Sequence, residues 1–115
     1  METTLPLRQI DHDVFVAPQL DAAAMAEVAR LGFKSVVNNR PDFEHGPNQP
    51  TNAQVEAAAT AAGLAYRFLP VDGGFQSPEE IAAFRQLLAE LPHPLLAFCR
   101  SGARSTKLYL QATGQ

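Results

Sequence analysis

The strongest constraint on the fold is the alternation of short apolar segments with helices whose ends are marked. The chain has 115 residues, a length that suits one domain. Four apolar segments are predicted to form strands, each followed by a helix: residues 13–17, 34–38, 65–71 and 94–98. This βαβαβαβα order predicts one α/β domain over residues 1–115, with a mainly parallel sheet of four to five strands flanked by helices.

Capping residues indicate where the helices begin and end. Asp21 begins the first predicted helix, and Gly32 follows it at the position where a glycine commonly ends a helix. Thr51 and Gln54 match a capping box. Ser77 precedes a proline and two glutamates, which is a typical helix start.

Composition excludes several classes of protein. The net charge is −3, which argues against nucleic acid as a partner because phosphate binding requires a basic surface. No apolar run approaches the length of a membrane span, and the first residues lack the apolar stretch of a signal peptide. A single cysteine cannot form an intramolecular disulfide. We therefore expect a cytoplasmic protein.

The cysteine, Cys99, lies in the segment AFCRSGARST, directly after the apolar run 94–98. Ligands of open parallel sheets bind beyond the carboxyl ends of strands, so the loops after all four predicted strands are candidates for the site. Gly102 permits a tight turn into the last predicted helix, whose free N–H groups would bind an anion. Arg100 and Arg104 add positive charge that favours a thiolate. Cys99 is predicted to be a nucleophile, and the alternative is a buried structural thiol.

These segments resemble the phosphatase-like domain of the beta-lactamase-hydrolase-like proteins. The matching stretches are LRQIDHDVFVAPQL, GFKSVVNNRPD, AAAGLAYRFLPVDGG, PEEIAAFRQLL and LLAFCRSGARS. They occur in the same order and cover nearly the whole chain. The resemblance implies a bacterial protein with the fold of the small cysteine-dependent phosphatases. It also implies a partner, a metallo-β-lactamase-type persulfide dioxygenase, to which this domain is fused in some bacteria.

Two activities fit the segment from Cys99 to Arg104. Protein tyrosine and dual-specificity phosphatases have five residues between these two positions, whereas this chain has four. CRSGAR resembles the shorter loop of rhodanese-type sulfurtransferases, and Phe98 replaces the histidine that usually precedes the phosphatase cysteine. We expect a sulfurtransferase that moves sulfane sulfur from thiosulfate or a persulfide through a Cys99 persulfide to a thiol acceptor. The alternative is a phosphatase that hydrolyses phosphoesters through a phosphocysteine.

Two further residues, Asp72 and Arg40, are candidates for the site. LPVDGG resembles the general-acid loop of dual-specificity phosphatases, so Asp72 is a candidate acid; the other interpretation is a turn former before two glycines. Arg40, in NNRPD, is a candidate for a second anionic group, or simply a polar loop residue. The predicted catalytic residues are Cys99, Arg104 and Asp72. The predicted anion-binding residues are Arg100, Ser101, Gly102, Ala103, Ser105 and Arg40.

The sequence gives fewer indications of cofactors and of oligomeric state. Three scattered histidines and one cysteine lack metal-ligand spacing, so neither a metal nor another cofactor is predicted. Related folds usually have more helix after the position of Thr106. We therefore expect a homodimer or a docked partner domain to cover one face of the sheet.

Overall fold

A computed structural model describes residues 2–115 and shows a five-stranded sheet with helices on both faces. The strands are β1 (Arg8–Asp11), β2 (Val14–Ala17), β3 (Ser35–Asn38), β4 (Ala65–Phe68) and β5 (Leu95–Phe98). A 3₁₀ turn (Ala22–Ala24) leads into α1 (Met25–Arg30), and α2 (Asn52–Ala61), α3 (Pro78–Glu90) and α4 (Ala103–Thr113) follow. Among these helices, none has the length and apolar character needed to cross a membrane.

The sheet is mainly parallel, as the alternation of elements predicts. Its strand order is β1-β2-β5-β3-β4. Strands β2, β5, β3 and β4 run in one direction, and β1 is antiparallel to β2. The predicted α/β fold is therefore confirmed. Strand β5 lies between β2 and β3, so its carboxyl end opens at the middle of the sheet edge.

Strand β1 is the element that the sequence pattern missed. Its residues are mostly exposed, so they show no apolar alternation. Side chains from α4 hold the strand in place instead: Thr106 Oγ1 accepts a hydrogen bond from Arg8 Nη2 (2.7 Å), and the Tyr109 hydroxyl donates to the Asp11 carboxylate. These contacts join residues far apart in the chain, which local periodicity does not reveal.

The helix starts agree closely with the capping signals. Capping boxes are present at Thr51 and at Ser77, and both predictions are confirmed. The Asp21 carboxylate accepts from the Ala24 N–H (3.0 Å), but it caps a 3₁₀ turn that precedes a six-residue α1. The predicted strand over 65–71 ends early at Phe68. The Leu69 and Val71 N–H groups then donate to the Asn38 and Asn39 carbonyls (2.9 and 3.1 Å), so the segment continues beside the end of β3.

The core consists of two apolar clusters, one on each face of the sheet. Successive residues of β5 alternate between them: Leu95 and Ala97 lie in one cluster, and Leu96 and Phe98 lie in the other. All four side chains are fully buried. The unbroken apolar run before the cysteine therefore forms a strand buried on both faces, as predicted, and it anchors Cys99 at the centre of the fold.

Replacement of Leu96 by alanine should strongly destabilise the protein. The side chain is 0% exposed, and removing it from the core should lower the free energy of unfolding by about 2–5 kcal/mol. Chemical denaturation measures this change. Leu110, which is 39% exposed, is the matched control, and Leu110→Ala should change stability by no more than about 0.5 kcal/mol. Equal effects of the two substitutions would contradict the described core.

Candidate active site

The loops that follow β2, β3, β4 and β5 meet around Cys99, as the sequence predicts. The Cys99 N–H donates to the Ala17 carbonyl (3.3 Å), and the Asn39 N–H donates to the Phe98 carbonyl (2.8 Å). The Gln19 N–H donates to the Arg100 carbonyl (3.2 Å), which joins the loop after β2 to the cysteine loop. Backbone hydrogen bonds thus fix the segments of the site relative to one another.

The turn after Cys99 directs N–H groups at its sulfur. Cys99 is 1% exposed, and the Gly102 N–H donates to its Sγ atom (3.1 Å). Gly102 is the N-cap of α4 and has a φ of 91°, a left-handed conformation that glycine adopts readily. A Cβ atom there would also lie 3.4 Å from the Ala17 carbonyl carbon. The backbone conformation therefore favours glycine here, whereas a Cβ atom would make only ordinary van der Waals contact with Ala17.

These hydrogen bonds lower the pKa of the thiol. Burial raises the pKa of Cys99, but hydrogen bonds from the Ser105, Ser101 and Gly102 backbone and from the Ser105 hydroxyl outweigh burial. The pKa of Cys99 is therefore lower than that of an ordinary cysteine. The positive end of the α4 dipole favours a thiolate in the same way. The result is a thiol prepared for nucleophilic attack.

Asn39 holds the Ser105 hydroxyl beside the sulfur. Ser105 Oγ donates its single proton to Asn39 Oδ1 (2.8 Å), and rotation about the Cβ–Oγ bond turns that proton to the Cys99 sulfur instead. Asn39 Nδ2 donates to the Leu69 carbonyl (3.0 Å), which fixes the orientation of the amide. Both residues are buried. Sequence analysis missed this role of Asn39. Two consecutive asparagines, Asn38 and Asn39, at the end of a predicted strand were the available signal.

Arg104 is held in place by several contacts of its guanidinium. Its Nη1 donates to the Val71 carbonyl (3.1 Å), and its Nη2 pairs with the Glu44 carboxylate (3.1 Å). A Cβ atom at Gly73 would lie 3.2 Å from Nη2, so the absence of a side chain there makes room for the arginine. The buried Nε–H has no partner within residues 2–115. A buried donor without a partner is suited to an incoming anion.

Glu44 binds two arginines at once and was also missed by sequence analysis. Its carboxylate lies 3.0 Å from Arg40 Nε and 3.1 Å from Arg104 Nη2. Burial raises the pKa of Glu44, but hydrogen bonds from Arg40 and Arg104 outweigh burial, so its pKa is lowered. Arg40 further donates to Gln19 Oε1 (3.1 Å) and lies 3.2 Å from His45 Nδ1. This placement of Arg40 favours a role in positioning Glu44 over direct binding of an anion.

The other predicted site residues are more exposed than Cys99 and Arg104. Asp72 is exposed, and its Oδ1 atom accepts from the Gly74 N–H (2.6 Å), which is the arrangement of a turn former. Arg100, Ser101 and Ala103 are exposed on the cysteine loop. Within residues 2–115, no group of three or more His, Cys, Asp or Glu side chains is arranged to hold a metal ion.

A cysteine at the end of a central parallel strand, followed by a helix N-terminus and an arginine, is the arrangement of the cysteine-dependent phosphatase-like folds. A candidate phosphatase from Neisseria meningitidis has a TM-score of 0.80 and 32% identity, covering 88% of this chain and 71% of its own. P. aeruginosa TpbA, solved with phosphotyrosine, has a TM-score of 0.60 and 21% identity, covering 89% and 57%. The fold is thus related to protein tyrosine and dual-specificity phosphatases.

The chain belongs to the family of phosphatase-like domains of beta-lactamase hydrolase-like proteins, whose model matches residues 6–115. The beta-lactamase hydrolase-like protein of Agrobacterium fabrum is 40% identical over 102 residues, which are 89% of this chain and 23% of that protein. The chain therefore spans less than a quarter of the curated relatives that it matches. The family predicted from the sequence is confirmed, and these relatives are bacterial.

Replacement of Ser105 by alanine should raise the pKa of Cys99, because it removes a hydroxyl that stabilises the thiolate. Thiolate absorbance near 240 nm, followed against pH, measures the midpoint. Ser101→Ala is the control, since that substitution keeps the Ser101 backbone N–H and removes an exposed hydroxyl that accepts from the Ala103 N–H (3.4 Å) rather than contacting the sulfur. Equal midpoints for Ser105→Ala and the unchanged protein would contradict the proposed contact.

Replacement of Glu44 by glutamine should reduce stability at neutral pH more than at acidic pH. The folded-state pKa of Glu44 is lowered, so its stabilisation is complete above the unfolded value near 4.5 and is lost as pH falls through the folded value. Urea denaturation at several pH values measures the difference. Glu56→Gln, on the exposed surface of α2, is the control. A pH-independent difference for Glu44→Gln would contradict the ion pairs.

Proposed function

We propose that the chain is a sulfurtransferase in which Cys99 carries a sulfane sulfur between an anionic donor and a thiol acceptor. The observation that carries this proposal is the short turn, in which four residues separate Cys99 from Arg104. The N–H groups of this turn converge on the sulfur atom itself. A narrow ring of donors suits one additional sulfur on the cysteine better than a tetrahedral phosphoryl group.

The proposed reaction has two steps. With thiosulfate, the Cys99 thiolate attacks the outer sulfur, the sulfur–sulfur bond of the donor breaks, and sulfite leaves with the electron pair. The thiolate of the acceptor then attacks the terminal sulfur of the Cys99 persulfide, and the Cys99 thiolate is released. The turn N–H groups stabilise the anionic persulfide, and Arg104 Nε–H binds the sulfonate of the donor.

Neither step requires a proton donor, because sulfite and a thiolate are stable leaving groups. This is consistent with the position of Asp72, whose carboxylate is exposed and bound to the Gly74 N–H. The thiol acceptor, a persulfide dioxygenase as partner, a homodimer and a cytoplasmic location stay predictions.

A phosphatase is the second candidate, and it is favoured by the family and by the fold relation to tyrosine phosphatases. Cys99 would attack the phosphorus of a phosphoester, and Asp72 would protonate the leaving oxygen. Water would then hydrolyse the phosphocysteine and release inorganic phosphate. In this reaction Asp72 has to give up its hydrogen bond to Gly74. Ser105, beside the sulfur, would stabilise the departing thiolate.

Intact-protein mass spectrometry after incubation with thiosulfate separates the two candidates. We expect a gain of one sulfur atom that is removed by cyanide and is absent in Cys99→Ser. The thiolate geometry predicts this adduct because the turn N–H groups stabilise the added charge. No adduct, together with Cys99-dependent hydrolysis of p-nitrophenyl phosphate, would instead establish the phosphatase.

Asp72→Asn provides the matched control for both assays. A general acid contributes about 10²–10⁴-fold to rate, so phosphatase turnover should fall by that factor. Thiosulfate turnover should change by less than about twofold, since no proton donor is needed in sulfur transfer. Comparable losses in both assays would contradict the roles assigned here.

A further inference from the structure

Two exposed phenylalanines lie on loops that both contact Arg104. Phe43 is 62% exposed and Phe75 is 66% exposed, although large apolar side chains are usually buried. Phe43 directly precedes Glu44, whose carboxylate pairs with Arg104 Nη2. Phe75 closely follows Gly73, where a Cβ atom would lie 3.2 Å from the same nitrogen. Both phenylalanines are therefore within two residues of a position that lies against the Arg104 guanidinium.

The chain geometry limits how far these side chains lie from the site. Consecutive Cα atoms are about 3.8 Å apart, so the Phe43 Cα lies about 3.8 Å from the Glu44 Cα. The Phe75 Cα lies within about 7.6 Å of the Gly73 Cα for the same reason. Each aromatic ring is thus attached within one or two residues of a direct contact with the Arg104 guanidinium.

The backbone at Phe43 supports a role outside folding. Its φ of 58° places a bulky residue in the left-handed region, where side chains other than those of glycine and asparagine are strained. The exposed ring also contributes little to the core. Strained residues concentrate at functional sites. A ring that contacts a ligand explains why phenylalanine stands where glycine or asparagine would be more stable.

We infer that Phe43 and Phe75 form an apolar rim that binds the organic group of the sulfur donor. The inference rests on the proposed sulfur transfer and names its donor class: a sulfane sulfur attached to an apolar organic group, rather than inorganic thiosulfate. In an organic thiosulfonate, the terminal sulfur meets Cys99, the sulfonyl oxygens meet Arg104 and the organic group meets the rim. Cys99 takes the terminal sulfur, the sulfur–sulfur bond breaks, and the organic sulfinate leaves with the electron pair.

The test compares kcat/KM for benzenethiosulfonate and for thiosulfate, using the full chain. The kcat/KM for benzenethiosulfonate divided by that for thiosulfate should fall about tenfold in Phe43→Asn and in Phe75→Ala. Each variant loses apolar contact with the benzene ring only. Leu110→Ala, which removes an exposed apolar side chain of α4, is the control and should keep the ratio. Phe43→Asn should also raise the thermal midpoint, because asparagine relieves the left-handed strain, so unfolding cannot explain its loss.

The outcomes separate this inference from the function on which it rests. If both donors transfer sulfur but the ratio is unchanged in Phe43→Asn and in Phe75→Ala, the apolar rim is wrong. The proposed sulfurtransferase activity would still hold. Sulfur transfer from neither donor would overturn both. A reduced ratio in the two variants, with an unchanged ratio in Leu110→Ala, would establish the rim.

Discussion

The site depends on the balance between burying the Cys99 sulfur and surrounding it with hydrogen-bond donors. Burial alone would keep the thiol protonated and inert. The first turn of α4 reverses this effect, because its N–H groups point at the sulfur before any of them enters a helical hydrogen bond. The left-handed Gly102 makes the turn possible, and the central position of β5 makes it rigid.

The buried positive charges of Arg40 and Arg104 have to be compensated as well. Arg104 and Arg40 are both largely buried, and a buried charge needs a partner. Glu44 supplies one carboxylate for both guanidinium groups, while Val71 and Gln19 accept from their remaining donors. Among the described residues, the Arg104 Nε–H has no partner. The network therefore fixes the direction of the arginine and leaves this nitrogen as a donor for a ligand.

Sequence reasoning found most of the elements and the loop that carries Cys99, because both leave local signals. Capping residues, apolar runs and the segment around Cys99 are each readable within about a dozen residues. The supporting contacts are not local. Glu44 reaches Arg104 across 60 positions, and Asn39 reaches Ser105 across 66. Such pairs depend on which strands become neighbours. The position of β5 between β2 and β3 cannot be predicted from the hydrophobic periodicity of the sequence.

The same long separations have a consequence for how the chain becomes active. Contacts between distant segments carry an entropic cost, because the loops between them must close. Gly102 lies only three positions from Cys99, but the neighbours that hold this turn come from β2, β3 and the segment after β4. The lowered pKa of the thiol thus depends on the assembly of these segments. An incompletely folded chain carries an ordinary cysteine, so the low thiol pKa itself reports that all four segments have assembled.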